Sequence, residues 1–176
     1  MNFSINVNLT DNDYYIFNKF CLLKSRYGKK RAITFRLLLV VITLFPVIYT
    51  LLRDGLTVMI VPNILLLIIF QLLIIPFYSL VLKLNIRALK KSGKLPYNIT
   101  SQLDFLDDSF IEITSDGKNE TKYSAIQCVS ITDAYIYIHI NSLLGHILPR
   151  SAFESEEQYS KFLEFLKTKC SIIDAY

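Results

Sequence analysis

The sequence predicts an α+β membrane protein, in which a two-helix transmembrane hairpin is joined to a small antiparallel β-sandwich or barrel capped by a C-terminal helix. Three observations lead to this prediction. Residues 55–82 contain no Asp, Glu, Lys or Arg, and residues 32–52 contain only Arg36. Short stretches rich in β-branched and aromatic residues follow residue 98. An amphipathic pattern of helical period follows these stretches.

Each apolar stretch is long enough to cross a bilayer. A hydrocarbon layer of about 30 Å needs about 20 apolar residues in a helix. A soluble helix of that length keeps a polar face toward water, and neither stretch has one. We therefore expect transmembrane helices at residues 32–52 and 62–84, joined by a short external turn at 53–61. Because the second stretch is longer than needed, either the turn extends to Pro62, which suits a first helical turn, or the helix tilts.

Basic residues flank the two predicted spans and leave the turn between them almost uncharged. The positive-inside rule then places both termini in the cytoplasm, with the protein in the cell (inner) membrane as a multi-pass protein. Anionic headgroups attract such residues, and the bilayer is the first expected partner. The predicted headgroup contacts are Lys29, Lys30, Arg31, Arg36, Lys83, Arg87, Lys90 and Lys91, with Lys24, Arg26 and Lys94 in the same clusters. The charges are not interleaved with exposed aromatic residues, so nucleic acid is not expected as a partner.

One polar residue, Gln71, lies near the middle of the second span. An unpaired amide at that depth is costly, so we expect Gln71 to face the other helix or a second copy of the chain. A membrane-protein partner or a homo-oligomer is therefore also expected. The spans contain no Asp, Glu or His, which a proton-coupled transporter would ordinarily need.

The N-terminal residues 1–31 are expected to form a cytoplasmic strand and helix. Apolar and polar residues alternate strictly over residues 2–9, which is typical of a half-buried strand. Thr10 and Asp13 then favour a helix start, and residues 14–24 form an amphipathic helix. Because a lone strand is unstable in water, we expect this strand to complete the C-terminal sheet.

A basic juxtamembrane linker at 85–98 leads to the domain at 99–176. Its predicted strands are 99–106, 110–114, 121–131 and 135–140, with one more over 143–148. In the strand 135–140 the isoleucines point to the core, whereas Tyr135, Tyr137 and His139 line the other face. Ser155 caps a closing helix with Gln158, and the pattern buries Tyr159, Phe162, Leu163 and Leu166.

The sequence contains no recognisable reactive constellation. The sequence has three widely spaced cysteines, and disulfides are not expected in the cytoplasm. His139 and His146 lack further ligands at metal-binding spacing, so no metal site is predicted. The acidic run Asp104, Asp107, Asp108 and Glu112 is interpreted as a solvated hairpin. No phosphate-binding loop or nucleophile motif occurs, so we expect no enzyme activity, catalytic residue or cofactor.

The run INVNLTDNDY at 5–14, the two apolar stretches, and the segments at 138–140 and 147–153 (ILPRSAF) resemble the YcxB-like family of bacterial membrane proteins. The resemblance extends over essentially the whole chain. It implies a C-terminal domain similar to the pleckstrin-homology (PH) fold, a bent sandwich capped by a helix. It implies no catalytic or ligand-binding residues.

Two classes of function follow from these expectations. The first is a non-enzymatic integral membrane protein that presents a cytoplasmic PH-like binding domain at the membrane for protein recruitment or sensing. The alternative is an accessory or regulatory subunit, or an immunity-type subunit, of a membrane transporter or complex. A shared fold does not decide between them, because one fold supports many functions.

Overall fold

The computed structural model describes residues 3–55, 60–93, 97, 99–141, 144–170 and 173–175. Residues 56–59 of the predicted external turn and the predicted basic residue Lys94 lie outside the described residues. The elements are β1 (Phe3–Asn8), α1 (Asp11–Leu23), α2 (Arg26–Asp54), α3 (Ile60–Lys91), β2 (Thr100–Phe105), β3 (Ser109–Thr114), β4 (Gly117–Lys122), β5 (Cys128–Ile131), β6 (Tyr135–His139), β7 (Gly145–Pro149), α4 (Glu156–Lys169) and β8 (Ile173–Ala175).

The chain divides into two compact units. Residues 1–18 and 89–176 form one unit, which we call the domain, and residues 19–88 form the other, the hairpin unit. The α+β class and the two long apolar helices predicted from the sequence are therefore confirmed.

The domain contains two four-stranded sheets. The first has the order β1-β2-β3-β4 and is antiparallel throughout. The second has the order β7-β6-β5-β8, and its β5–β8 pair is parallel. The two sheets remain separate among the described strands, so the barrel alternative is wrong. The short strand β8, which has only three residues, follows the closing helix and was not predicted.

The first sheet joins distant parts of the sequence. Strand β1 pairs with β2 over six residues, from Phe3 opposite Phe105 to Asn8 opposite Thr100. The alternation of the N-terminal residues determines which face is buried, because Ile5 and Val7 are 2% and 1% exposed. The N-terminal strand therefore belongs to the same sheet as strands that follow both apolar helices.

Aromatic side chains fill the core between the sheets and under α4. Phe110 of β3 and His146 of β7 lie 4.9 Å apart by ring centroids, so the inner faces of the two sheets meet there. Phe162 of α4 lies 4.7 Å from Phe105 and 5.4 Å from Phe3. Phe165, whose burial was not predicted, is also buried on this helix.

The start of α4 shows how local sequence determines the closing helix. The Ser155 hydroxyl oxygen accepts a hydrogen bond from the backbone N–H of Gln158 at 3.2 Å. The Gln158 side chain accepts one in turn from the backbone N–H of Glu154 at 2.7 Å. Two unpaired donors at the helix start are thereby satisfied, as in a capping box displaced by one residue.

One detail of the predicted sheet is wrong. The predicted continuous strand 121–131 is interrupted by a 3₁₀ turn at Tyr123–Ala125. This turn buries the Tyr123 ring, and its hydroxyl donates a hydrogen bond to the Leu106 carbonyl at 2.9 Å. In strand β6 the isoleucines are buried, as predicted, and the opposite face is buried as well, because Phe17 of α1 lies 5.2 Å from Tyr137 by ring centroids.

The hairpin unit contains a tight turn between α1 and α2, together with the two long helices α2 and α3. The Ser25 hydroxyl accepts from the N–H of Gly28 at 3.0 Å and donates to the Cys21 carbonyl at 2.6 Å. A Cβ at Gly28 would lie 2.0 Å from that carbonyl oxygen, so only glycine allows this approach of the backbone. Farther along, Phe35 of α2 contacts Tyr78 of α3 with ring centroids 6.1 Å apart.

Replacing Val7 with Asp tests the packing of β1. The substitution places a charge in the core without a partner, and we expect the free energy of unfolding of the domain to fall by ~3 kcal/mol or more. The measurement is thermal or denaturant unfolding of the full chain in detergent. Asn6→Asp is the matched control, because Asn6 is exposed on the other face of β1 and should change stability little. Equal effects of the two substitutions would contradict the observed register.

Candidate functional site

Two helices among the described residues are long and apolar enough to cross a membrane. They are Gly28–Arg53, with 26 residues, and Ile64–Lys91, with 28. Their apolar side chains are exposed over most of their length, for example Phe45 at 72% and Leu72 at 72%. Exposed apolar surface of this extent needs a cover other than water.

The predicted headgroup contacts occupy the beginning of α2 and the end of α3. All eight are exposed: Lys29, Lys30, Arg31, Arg36, Lys83, Arg87, Lys90 and Lys91. The Lys90 ammonium lies 2.6 Å from the Asp11 carboxylate. Lys90 therefore forms a salt bridge within the domain in addition to its predicted contact with lipid. Contact of these residues with lipid stays a prediction.

Half-buried residues form one stripe on each long helix. On α2 the stripe includes Leu39, Thr43 and Val47, and on α3 it includes Leu67, Gln71 and Ile74. The spacing of three to four residues is that of one helix face. Gln71 therefore lies on the more shielded face of α3, whereas its interhelical contact stays a prediction.

Three polar contacts fasten the start of α1 to the rest of the domain, and a fourth, between Thr10 and Asp13, is local to the helix start. Asp11 accepts hydrogen bonds from Lys90 at 2.6 Å and from the Tyr97 hydroxyl at 2.5 Å. Asp13 accepts from the Thr10 hydroxyl at 2.6 Å and from the Tyr135 hydroxyl at 2.7 Å. These carboxylates also lie at the positive end of the helix dipole, where negative charge is favoured.

These contacts shift the ionisation of the groups that make them. Hydrogen bonds from Lys90 and Tyr97 lower the pKa of Asp11. Burial raises the pKa of Asp13, but the hydrogen bonds from Thr10 and Tyr135 outweigh it, and the net pKa is lowered. Burial together with the bond to a carboxylate raises the pKa of Tyr97 and that of Tyr135 to about 12.

A partly open polar cavity of about 160 Å³ lies in the domain next to the start of α1. Glu112 and His146 line it from facing sheets, with a distance of 3.7 Å from the carboxylate Oε2 to the imidazole Nδ1. Their side chains are only 17% and 11% exposed. The other lining residues are Leu9, Tyr14, Phe17, Tyr97, Ser101, Leu103, Gly145 and Ile147.

Strand register explains why Glu112 points inward. Glu112 pairs with Leu103 of β2 and follows Phe110 by two residues, so it shares the inner face of the sheet with both. Its interpretation as part of a solvated acidic hairpin is therefore wrong, whereas Asp107 and Asp108 are exposed. The sequence signal for this inward orientation is the alternation Phe110, Glu112, Thr114, which places Glu112 on the same strand face as a core phenylalanine.

The two histidines lie on opposite faces of the second sheet. In the β6–β7 register Ile138 is opposite His146, and His139 is opposite Gly145. His139 stacks on Phe17 on the outer face, whereas His146 contacts Phe110 on the inner face. Among the described residues no group of three or more His, Cys, Asp or Glu side chains could hold a metal ion.

The fold and the cavity define a class of protein: an α+β domain with a partly open polar cavity, linked to two helices of membrane-spanning length. Residues 105–166 match the family model described as YcxB-like protein, which confirms the resemblance seen in the sequence. Neither a curated protein nor a solved structure matches the chain. The PH-like fold that the resemblance implies stays a prediction.

The tyrosine–carboxylate contacts predict a loss of stability at alkaline pH. Tyr97 and Tyr135 have folded-state pKa values of about 12, above the ordinary value of 10.0, so folding favours their protonated forms. Their contribution is fully present below pH 10 and is lost as the pH rises from 10 to 12. We expect the unfolding midpoint of the full chain in detergent to fall across this range.

The double variant Tyr97→Phe, Tyr135→Phe identifies the source of this effect. It should be less stable than the native chain at neutral pH, because two carboxylates lose a donor. It should also lose less stability between pH 10 and pH 12. An alkaline slope as steep as that of the native chain would contradict the assignment.

Proposed function

We propose that this protein is an integral membrane protein whose α2 and α3 cross the bilayer as a hairpin and hold the domain at the cytoplasmic face as a non-catalytic binding module. One observation supports the topology above all others. Strand β1 precedes α2, strand β2 follows α3, and the two strands pair over six residues. Because a sheet cannot form across a bilayer, this pairing supports a topology with both flanks of the hairpin on one side.

The distribution of charge supports the cytoplasmic side. The exposed basic residues at the start of α2 and the end of α3 would all lie at the side that carries the domain. Short basic flanks of this kind are retained in the cytoplasm. The only charged residues in the predicted turn are Arg53 and Asp54.

The geometry of the domain supports binding rather than catalysis. The perturbed carboxylates Asp11 and Asp13 are engaged in contacts that fasten α1, which is a structural use of charge. The partly open polar cavity is lined by residues of both sheets and α1, so polar groups from several elements converge on one concave surface. Two sheets closed by a C-terminal helix also agree with the PH-like architecture, which we propose for this domain.

Cysteine labelling in intact cells tests the topology. Burial raises the pKa of the Cys170 thiol to about 11, so native thiols report burial as much as sidedness. We therefore replace Cys21, Cys128 and Cys170 with Ala and add either Asp54→Cys or Ser92→Cys. A membrane-impermeant thiol reagent should label the first variant in intact cells and the second only after permeabilisation.

Ser92 is a suitable internal control because it is exposed at the end of α3. Labelling of Ser92→Cys from outside with protection of Asp54→Cys would reverse the orientation. Protection of both positions in intact cells would exclude a hairpin that spans the membrane. Purification of the protein from the membrane fraction checks that each variant is inserted.

A further inference from the structure

We propose that two copies of this chain associate through strand β4, which pairs antiparallel with β4 of the second copy and joins two four-stranded sheets into one continuous sheet. The inference goes beyond the proposed function and does not depend on membrane topology, because every residue involved belongs to the domain. The position of β4 in its sheet, the exposure of its residues and the order of its charges each support this contact.

Strand β4 is an edge strand, and it pairs with β3 alone among the strands that the structure describes. The ladder is continuous over six residues, from Ser109 opposite Lys122 to Thr114 opposite Gly117, without a bulge. A strand that is paired on one side presents a row of N–H and C=O groups on the other, which we call the outer edge. Such a row is a template for the strand of another chain.

Alternation along the ladder decides which backbone groups face the outer edge. The two-residue turn at 115–116 makes Thr114 and Gly117 a hydrogen-bonded closing pair. Hydrogen-bonded and non-hydrogen-bonded pairs then alternate, so the even-numbered residues of β4 turn their N–H and C=O groups away from β3. These residues are Lys118, Glu120 and Lys122, and all three are exposed.

The charges along the outer edge alternate in sign, beginning with the exposed Asp116 in the turn. In an antiparallel pair of identical strands, the register that places Asn119 opposite itself brings Lys118 opposite Glu120 of the second copy. The same register brings Lys122 opposite Asp116. Symmetry repeats both contacts, and opposite charges directly across a strand pair stabilise it. Charge complementarity therefore favours a second copy of this chain as the partner.

The other registers lack this complementarity. A shift of two residues in one direction places Lys118 opposite itself, and a shift in the other direction places Glu120 opposite itself, so like charges repel. Shifts of four residues run past the ends of β4, into the turn at 115–116 or the 3₁₀ turn at Tyr123–Ala125. Odd shifts oppose the outer-edge groups to residues whose backbone is already bonded to β3. One register is therefore specified.

The side chains that form these pairs lie on the outer face of the sheet. Thr121, between Glu120 and Lys122, is buried on the inner face, so its neighbours point outward. The Ser109 hydroxyl donates a hydrogen bond to the Glu120 carboxylate at 2.6 Å, and a carboxylate can accept further donors. Because each copy presents the same residues to the other, the contact closes with two copies and forms a symmetric dimer.

Exchange of charges tests the interface in the full chain in detergent micelles. The readout is the dissociation constant of the dimer, measured by sedimentation equilibrium. Lys118→Glu and Glu120→Lys should each weaken the dimer by roughly tenfold, because each substitution creates two like-charge pairs. An equimolar mixture of the two variants should associate nearly as tightly as the native chain, because the mixed dimer again has opposite charges at both positions.

Lys167→Glu is the matched control, because it makes the same change of charge at an exposed position of α4 and should leave the dissociation constant unchanged. Circular dichroism establishes that each variant is folded. A monomeric native chain would overturn the proposal. So would single variants that associate as tightly as the native chain, or a mixture that associates no more tightly than Lys118→Glu alone.

A disulfide cross-link tests the register independently. In a chain with Cys21, Cys128 and Cys170 replaced by Ala, Asn119→Cys lies opposite its own copy in a non-hydrogen-bonded pair. The Cα atoms of such a pair are about 4.5 Å apart, within the range of a disulfide. Mild oxidation of the purified protein should therefore yield a covalent dimer. Ser124→Cys, which is exposed near the same edge but out of register, should stay monomeric. A cross-link at Ser124→Cys and none at Asn119→Cys would overturn the proposal.

Discussion

The pairing of β1 with β2 is the constraint on which the rest of the structure depends. It joins residues 3–8 to residues 100–105 and encloses both apolar helices within one closed loop of the chain. Closing a flexible loop of about 90 residues costs ~4 kcal/mol in chain entropy. Burial of an apolar side chain returns ~1.5 to 3 kcal/mol, so the inner residues Ile5 and Val7 offset a cost of this size. The alternating pattern at the N-terminus is therefore needed for the fold.

Local patterns in the sequence were sufficient to predict several elements. Alternation at residues 2–9 indicates a strand, and the absence of charge over residues 55–82 indicates a long apolar helix. The Ser155–Gln158 spacing indicates the start of α4, where the capping hydrogen bonds are present. Each of these signals acts over a few residues, within the reach of the side chains that produce it.

Features that depend on distant residues could not be predicted in the same way. The outer face of β6 is buried because Phe17, more than a hundred positions earlier, lies on it. Strand β8 has three residues and depends on a parallel pairing with β5 that no local pattern reveals. The polar cavity exists because register brings Glu112 and His146 together from different sheets. A carboxylate near a turn is usually solvated. Only the alternation of faces along β3 indicates that Glu112 points inward.

The order of the elements also affects how the protein is made. Strand β1 leaves the ribosome about 90 residues before β2, and at about 5 to 20 residues per second the delay is about 5 to 20 s. During this interval both apolar helices emerge, while Ile5 and Val7 have no sheet to cover them. The nascent chain therefore carries an unpaired apolar strand throughout synthesis of the hairpin. Such a strand can bind a chaperone or the strand of a neighbouring chain, so correct assembly depends on how quickly β2 follows.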